Sequence, residues 1–308
     1  MQFTYPLPHL LELPALTQPW EAAVTGPQQT QAIKRAEAMG FDMISVCEHF
    51  VVPREHVELS GAFYFAATAA QGYICGATER VRVGTTITLL PLQHPIVMAK
   101  SLSTIDWMCG GRLVAAFGVG WLKEEFDLLG VPFHERGAMA DEYLAAIIEL
   151  WTKEWPEFEG KYVSFKDIAF EPKPAQKPHI PIWMGGDADP ALARIAKFGS
   201  GWIPFLTPPE KFPEKIDFIK SHPAYTDRGH PFEVSFSLST MSVGEGHVEL
   251  DNPHAQLAKN AQEIIDKLNW LSDLGVTITN APIPQVKNIE EHLEMAQWVI
   301  EEIKPHVK

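Results

Sequence analysis

The fold is decided by one stretch of the chain, RVRVGTTITLLPLQHPIVMAKSLSTIDWMCGGRL at residues 80–113. β-Branched and apolar residues dominate its first part, which predicts a strand over Val81–Leu90. His94 and Pro95 then open a helix, because proline is favoured at the first helical position, where an N–H would lack a helical partner. A second apolar run at Arg112–Gly118 predicts the next strand. Strand, helix and strand in this order are typical of a parallel sheet, since parallel strands need a long crossover between them.

The same alternation continues on both sides of this unit. The predicted strands are Gln2–Leu7, Asp42–Glu48, Val81–Leu90, Arg112–Gly118, Ile180–Met184, Gly201–Phe205, about Phe232–Met241 and Val276–Asn280. The predicted helices include Gln28–Met39, Ala140–Trp151, Asp189–Phe198, a segment from Ala261 to a stop at Gly275, and a last helix that Asn288 and Glu291 cap. About eight strand–helix units are what an α/β (β/α)8 TIM barrel requires, so the sequence predicts one such domain over residues 1–308.

Two segments interrupt this rhythm. Phe158–Pro181 carries Gly160, the apolar pair Tyr162 and Val163, and several prolines, which predicts an excursion with a hairpin before the fifth strand. Pro204–Pro213 is a second proline-rich segment, which predicts a loop after the sixth strand. Strand–helix units continue on both sides of each segment, so we interpret neither as a domain linker.

Net charge and cysteine content exclude several classes of protein. The 308 residues carry a formal net charge of −14, which argues against nucleic-acid binding because phosphate recognition needs basic side chains. Cys47, Cys75 and Cys109 are far apart in sequence and form no CxxC pair, so we expect three reduced thiols. The N-terminal MQFTYPLPHLLELP has no positively charged region, and no apolar run reaches the length of a membrane span. We therefore expect a cytoplasmic protein with no membrane partner.

Metal-dependent and serine-nucleophile chemistry have no motif in this chain. His9, His49, His94 and His134 are scattered, and none belongs to an HxH or HExxH pattern of zinc ligands. No GxSxG sequence is present, so the serine-hydrolase elbow is missing. The sequence therefore predicts no catalytic metal.

The barrel itself indicates where functional residues lie. Active sites of TIM barrels sit at the C-terminal ends of the strands. The residues at those ends are Glu48 and His49 after the second strand, Thr85, Thr86 and Ile87 after the third, Gly118, Val119 and Gly120 after the fourth, and Gly185, Gly186 and Asp187 after the fifth.

Each group allows a functional and a structural interpretation. Histidine moves protons near neutral pH, and a carboxylate beside it can orient it, so Glu48 and His49 form a candidate proton-transfer pair. The alternative is a histidine that is hydrogen-bonded at the start of a loop. Gly118–Gly120 lacks the third glycine of a dinucleotide fingerprint and indicates only that something approaches the backbone closely. Gly185–Asp187 precedes a helix N-terminus, which favours either a bound phosphate or a tight turn.

Four motifs, in this order and spacing, resemble the bacterial luciferase-like family of flavin and deazaflavin oxidoreductases. They are AEAMGFDMISVCEHF (36–50), the stretch at 80–113, FGVGWLKEEFDLLGVPFHERG (117–137) and PIWMGGDADPALARIAKFGSGW (181–202). The second is the most specific, with a strand ending in Leu-Pro, then His-Pro, Asp and Gly-Gly-Arg-Leu. The resemblance covers most of the chain and implies a TIM barrel with an excursion near the fifth strand.

The resemblance also implies roles for the candidate residues. It places an isoalloxazine-type ring over the barrel mouth against Thr85–Ile87, with a non-proline cis peptide bond expected between Thr86 and Ile87. It places Glu48 and His49 near the reactive face of that ring. It assigns phosphate-side contacts to Gly118–Gly120 and Gly185–Asp187.

The resemblance favours the deazaflavin coenzyme F420 as cofactor, with FMN as the alternative. EHFVVP (48–53) and GVGWLKEEF (118–126) are similar to the F420-dependent subgroup, although that subgroup more often has Asp-His where this chain has Glu48 and His49. The implied reaction is hydride transfer between F420 and a small organic substrate, in which His49 exchanges the proton and Glu48 orients it.

Two alternatives follow from the same resemblance. One is an FMNH2-dependent two-component monooxygenase, whose reduced flavin comes from a separate reductase. The other, of a different class, is a non-catalytic flavin-binding barrel. In either case the family leads us to expect a homodimer formed through the helices after the second and third strands.

Overall fold

The computed structural model describes residues 1–13, 17–237 and 261–308, together with the backbone of a hairpin at Ser242–Gly244 and His247–Glu249. Most of the described chain alternates short parallel strands with helices. We label eight of the strands β1 (Gln2–Tyr5), β2 (Met43–Val46), β3 (Arg82–Thr85), β4 (Ala115–Gly118), β5 (Ile182–Gly185), β6 (Gly201–Ile203), β7 (Glu233–Val234) and β8 (Ile278–Asn280).

These eight strands form a ring. One sheet has the order β8–β1–β2–β3, and in a second sheet β7, β6, β5 and β4 are neighbours in that order. Parallel bridges join the two sheets at both edges, Val83 with Leu113 and Ser235 with Ile278. The Val83 N–H donates to the carbonyl oxygen of Arg112 at 3.0 Å, and the Phe236 N–H donates to that of Ile278 at 3.0 Å. The predicted α/β barrel fold is therefore confirmed.

One helix of at least ten residues follows each strand. The helices are α1 (Gly26–Met39), α2 (Ala67–Ala77), α3 (Pro95–Met108), α4 (Arg136–Thr152), α5 (Asp189–Phe198), α6 (Phe212–Ser221), α7 (Ala261–Asp273) and α8 (Ile289–Trp298). Two shorter helices, Val57–Ser60 and Lys123–Leu128, lie in the loops after β2 and β4. No helix among the described residues is long and apolar enough to cross a membrane.

Local sequence signals explain several helix ends. α1 begins with a capping box between Thr25 and Gln28 and ends at Gly40, whose φ of +96° places it in the left-handed region that favours glycine. α3 begins at Pro95, as predicted, and the imidazole of His94 accepts a hydrogen bond from the Ile96 N–H. Local sequence therefore determines where α1 ends and where α1 and α3 begin.

Side chains fill the barrel interior, and an ion pair closes it at the N-terminal end of the strands. The buried interior side chains are Met43, Val114, Ala116, Trp183 and Ile278. Ile87 and Ile203 pack against this cluster at the C-terminal end of the strands. At the N-terminal end of the strands, the Arg82 guanidinium donates to both carboxylate oxygens of Glu233 at 2.8 Å and lies 5.3 Å from the centre of the Trp183 ring. Among the described residues, the packed interior and the Arg82–Glu233 ion pair close the N-terminal end of the barrel, whereas Ile87 and Ile203 are only partly buried at the C-terminal end.

Three sequence-based predictions needed correction. The third strand is not continuous over Val81–Leu90, because the chain leaves β3 at Thr86 and a short strand, Thr88–Leu89, pairs with β4 instead. The bounds of α2 were not predicted, since its small residues give little periodic signal. α6 begins inside the segment predicted as a loop, because Pro213 occupies its first turn, where proline is tolerated.

The predicted hairpin before the fifth strand and part of the predicted seventh strand are present. The excursion before the fifth strand contains the predicted hairpin, in which Phe158–Glu159 pairs antiparallel with Ser164–Phe165. The seventh strand is confirmed at Glu233–Val234, whereas residues 238–241 of the prediction lie outside the described residues.

Candidate active site

His49 lies at the barrel mouth and is held by a carboxylate from a different strand. Its Nδ1 atom is 2.9 Å from Oε2 of Glu125, which lies in the short helix after β4. The Glu125 side chain is only 1% exposed, and its other oxygen accepts hydrogen bonds from the N–H groups of Phe50 at 2.6 Å and Val51 at 3.2 Å. Glu125 therefore fixes both the imidazole of His49 and the chain that follows it.

The prediction that Glu48 orients His49 was wrong. Glu48 is buried, and its carboxylate accepts from the Ala67 N–H at 2.9 Å, the Leu89 N–H at 3.1 Å and Nε2 of Gln93 at 3.2 Å. Burial raises the pKa of the Glu48 carboxyl, and the negative charge of Glu125 adds to that rise. Adjacent residues of an extended segment point to opposite sides, so Glu48 reaches the start of α2 while His49 reaches Glu125.

Aromatic side chains surround the imidazole of His49. The Tyr64 ring lies edge-on with its centre 4.8 Å away, and the Trp121 ring lies edge-on at 6.2 Å. The Tyr64 hydroxyl donates to the carbonyl oxygen of Ser60 at 2.5 Å, and burial raises the pKa of Tyr64 to about 12. Tyr64 therefore stays neutral at physiological pH and acts as an apolar wall with one fixed hydrogen bond.

Of the three predicted residues after β3, Thr86 and Ile87 reach the mouth. The peptide bond between them is cis, as predicted. Thr86 is exposed and Ile87 is half-buried, whereas Thr85 is fully buried and its hydroxyl donates to the carbonyl oxygen of Ala116 at 2.7 Å. The structure therefore removes Thr85 from the residues that can touch a ligand.

The structure shows what approaches Gly118 and Gly185. A Cβ atom at Gly118 would lie 1.7 Å from Cδ1 of Ile87, and one at Gly185 would lie 3.1 Å from the same atom. Both glycines therefore leave room for the Ile87 side chain, which fills the centre of the mouth. Val119 is half-buried, and Gly120 has a φ of +79° and packs against the Phe126 ring.

Asp187 organises a neighbouring loop. Its carboxylate accepts hydrogen bonds from the N–H groups of Phe205 at 3.1 Å, Leu206 at 2.9 Å and Thr207 at 3.0 Å, and from the Thr207 hydroxyl at 2.5 Å. Gly186, with a φ of +132°, accepts from the indole N–H of Trp202 at 2.8 Å. Both residues thus tie the connection after β5 to β6 and its loop, which supports the tight-turn interpretation of this segment.

An apolar rim surrounds these groups. The exposed large apolar side chains that follow β2, β4 and β6 are Phe50, Val51, Leu59, Trp121, Leu128, Leu129, Phe205 and Leu206. Exposed apolar surface around a concave site with few polar groups is typical of a site for a small organic ligand.

One group of potential metal ligands also lies near this rim. Ligand atoms of Glu55, His56 and Glu124 lie within 4.8 Å of one another. Residues 55 and 124 come from different loops, so no sequence motif indicated this group. The absence of a catalytic metal stays a prediction.

Sequence analysis missed Glu125, Tyr64 and the anchoring role of Asp187. Glu125 is part of the GVGWLKEEF run, but that run gives no reason to separate it from Glu124. The difference arises from the fold, because Glu125 is buried beside Phe126 while Glu124 remains partly exposed.

Comparison with known proteins identifies the family. A model of the luciferase-like monooxygenase family matches residues 14–291. An uncharacterised protein of Mycobacterium tuberculosis is 33% identical over 260 residues, which cover 80% of this chain and 83% of that protein. The FMNH2-dependent dimethylsulfone monooxygenase of Pseudomonas putida is 30% identical over 164 residues, or 52% of this chain and 44% of that enzyme. The F420-dependent glucose-6-phosphate dehydrogenase of Intrasporangium calvum is 31% identical over 194 residues, or 60% and 56%.

Solved structures share the fold over the full chain. Monooxygenase RslO1 from Streptomyces bottropensis matches with a TM-score of 0.78 at 19% identity, covering 99% of both chains. An F420-dependent secondary alcohol dehydrogenase matches with a TM-score of 0.73 at 19% identity, covering 100% of this chain and 99% of that one. Because the family model spans far more than half of the sequence, the chain belongs to the luciferase-like monooxygenase family, whose members are F420- or FMN-dependent oxidoreductases and monooxygenases.

Proposed function

We propose that this protein transfers a hydride between F420 and a small organic substrate at the mouth of the barrel, with His49 exchanging the accompanying proton. The observation that carries the proposal is the His49–Glu125 pair, which follows β2 at the same end of the barrel as the Thr86–Ile87 segment that follows β3.

The residues at the mouth fit a flat ring cofactor. Ile87 offers an apolar surface at the centre of the mouth, and the exposed indole of Trp121 and the ring of Phe50 stand at its edge. A bound deazaflavin or flavin supplies the redox chemistry, and the protein supplies position and proton transfer. The resemblance assigns the cofactor phosphate to the N-terminal end of α5, where the helix dipole favours an anion, and this stays an expectation beside the tight turn that Asp187 holds.

Glu125 prepares His49 for proton transfer. When Nδ1 carries a proton, the Nδ1–H group donates a hydrogen bond to the buried carboxylate of Glu125. Nε2 is then the ring nitrogen that can exchange a proton with a ligand. Nε2 has no hydrogen-bond partner within the part of the chain that the structure describes.

The choice of F420 over FMN rests on the EHFVVP and GVGWLKEEF motifs. Comparing the affinity of the protein for the two cofactors tests this choice. Purified protein is titrated with F420 and with FMN, each oxidised and reduced, and binding is followed by cofactor fluorescence. We expect F420 to bind more tightly than FMN. Tighter binding of FMN would contradict the F420 assignment, and binding of neither would contradict the proposed function.

An FMNH2-dependent monooxygenase is the second candidate, supported by the similarity to the dimethylsulfone monooxygenase of Pseudomonas putida. Such an enzyme would take reduced flavin from a separate reductase. Oxygen uptake separates the two candidates: a monooxygenase supplied with FMNH2 consumes oxygen in a substrate-dependent manner, whereas the F420 enzyme turns over equally well without oxygen.

A further inference from the structure

Two of the three cysteines meet at the end of the barrel opposite His49. Cys75 lies in the last turn of α2, and Cys109 follows directly after α3. Their side chains lie close enough to interact, although 33 residues separate them in the sequence, and the Cys109 thiol also lies 3.6 Å from the carbonyl oxygen of Asp106. No motif in the sequence indicated this contact, which arises because α2 and α3 are neighbours on the outside of the barrel and end at the same level.

One guanidinium holds the backbones of both cysteines. Nη2 of Arg112 donates to the carbonyl oxygen of Cys75 at 2.9 Å, and Nε donates to that of Cys109 at 3.1 Å. Nη1 of the same group binds the Thr78 hydroxyl at 3.0 Å and the carbonyl oxygen of Val81 at 2.8 Å. A rigid planar group that binds both carbonyls keeps the two residues at close range, which disulfide geometry requires.

The two thiols differ in pKa and in burial. The Cys75 side chain and, with a smaller contribution, Arg112 lower the pKa of the Cys109 thiol to about 6. The same contact, together with burial, raises the pKa of Cys75. Cys109 is half-buried and Cys75 is buried, so the sulfur whose pKa is lowered is also the more accessible of the two. Thiolate character and access are what make a cysteine reactive.

We propose that Cys75 and Cys109 form a redox-active dithiol that a hydroperoxide converts into an intramolecular disulfide between α2 and α3. The Cys109 thiolate attacks a peroxide oxygen, the O–O bond breaks, and Cys109 becomes a sulfenic acid while one water leaves. The Cys75 sulfur then attacks the Cys109 sulfur, forms the S–S bond and releases a second water. Hydrogen peroxide is thus reduced to two waters, and the protein loses two electrons and two protons.

This site is independent of the proposed function. Arg112 and Thr78 immediately precede β4 and β3 in the chain, so the dithiol lies at the N-terminal end of the strands, whereas Cys47, beside Thr86, lies at the mouth. Failure of cofactor binding would leave the dithiol unaffected, and failure of disulfide formation would leave the mouth unaffected.

The test is peptide mapping of the reduced, full-length protein after brief exposure to an equimolar amount of hydrogen peroxide. We expect the loss of two of the three free thiols, a mass lower by two hydrogens, and a peptide that links Cys75 to Cys109 and separates on treatment with dithiothreitol. Cys75→Ser should instead accumulate a sulfenic acid at Cys109 that dimedone traps. Cys47→Ser is the matched control and should form the disulfide as the wild type does.

Three results would overturn the proposal. They are retention of all three thiols in the wild-type protein, preferential oxidation of Cys47, and conversion of Cys109 to a sulfinic acid without a link to Cys75. Because each is read from the wild-type protein, the test does not depend on whether a cysteine variant folds.

Discussion

At the scale of single residues, the chemistry of the mouth depends on a pair that is distant in sequence. His49 and Glu125 are 76 residues apart, yet they share a contact of 2.9 Å with the carboxylate almost fully buried. A hydrogen bond to a charged group in such a place contributes about 1.5–3 kcal/mol, and loss of that energy in a transition state corresponds to a roughly ten- to hundredfold change in rate.

We therefore expect Glu125→Gln to lower kcat roughly ten- to hundredfold. The amide oxygen can still accept from Phe50 and Val51, so the loop should keep its conformation while the charge beside His49 is removed. His49→Ala should be more severe, on the order of a hundredfold to ten-thousandfold, since general acid–base catalysis contributes that much. The measurement is steady-state kinetics beside cofactor binding, whose dissociation constant should remain near the wild-type value.

Glu124→Gln is the matched control for this prediction. It removes a carboxylate from the adjacent position of the same short helix, where the side chain is partly exposed. Unchanged turnover in Glu125→Gln, or an equal loss in Glu124→Gln, would show that Glu125 does not position His49.

The same pair shows how far sequence alone could reach. The sequence correctly placed His49 at a strand end, since the barrel pattern fixes which residues face the mouth. It could not supply the partner, because the choice between Glu124 and Glu125 depends on how the short helix after β4 packs. The expectation for Glu48 was wrong for a local reason, since its side chain points from the strand end toward α2.

At the scale of elements, the mouth depends on close packing between consecutive strands. β3 and Thr88–Leu89 are separated by Thr86–Ile87, and this break directs the Ile87 side chain over β4 and β5. Gly118 ends β4 and Gly185 ends β5, and both lack the side chain that would occupy the same space. The periodicity of the sequence predicted the strands but not the break, because every residue in GTTITLL suits an extended chain.

Gly118→Ala should destabilise the protein by about 1–3 kcal/mol, because its new methyl group would meet Cδ1 of Ile87 in a filled space. Gly185→Ala should have a smaller effect, since the corresponding distance is 3.1 Å rather than 1.7 Å. The measurement is the free energy of unfolding in urea.

A second substitution tests the cause of this effect. Ile87→Val removes the Cδ1 atom, so Gly118→Ala should be less destabilising in that background than in the wild type. An identical penalty in both backgrounds would mean that the Ile87 contact is not what Gly118 accommodates.

At the scale of the whole molecule, α2 and α3 present apolar side chains to solvent. Tyr73, Val97, Trp107 and Met108 are exposed on these two helices or at their ends. Large exposed apolar side chains on neighbouring helices are candidates for an interface. This surface supports the homodimer that the family resemblance predicts.

We expect the protein to be a dimer in solution and Trp107→Glu to dissociate it, because a carboxylate in an apolar interface loses its hydration without gaining a partner. Light scattering coupled to size-exclusion chromatography measures the mass of each variant. Trp155→Glu, at another exposed tryptophan outside these helices, is the control and should remain dimeric. A monomeric wild-type protein would contradict the prediction.

Acid sensitivity is also a property of the whole molecule, and His292 in α8 contributes to it. Its ring is buried against the rings of Tyr5 and Trp20, and its Nε2–H donates to the carbonyl oxygen of Pro6 at 3.1 Å. Burial lowers the pKa of His292 from 6.5 to about 4, so the folded state holds the neutral ring while the unfolded chain takes up a proton as the pH falls below 6.5. Stability is therefore complete above pH 6.5 and is lost progressively between pH 6.5 and pH 4.

From pH 7 to pH 5 we expect His292 to account for a loss of about 2 kcal/mol in the free energy of unfolding, since each pKa unit corresponds to about 1.4 kcal/mol. His292→Gln keeps a donor for Pro6 but cannot titrate, so its unfolding free energy should fall less over this range than that of the wild type. His306→Gln, at an exposed position after the same helix, should retain the wild-type pH dependence. Urea unfolding at both pH values gives the comparison, and an equal slope in His292→Gln and wild type would place the acid sensitivity in other groups, such as His179, whose pKa burial also lowers.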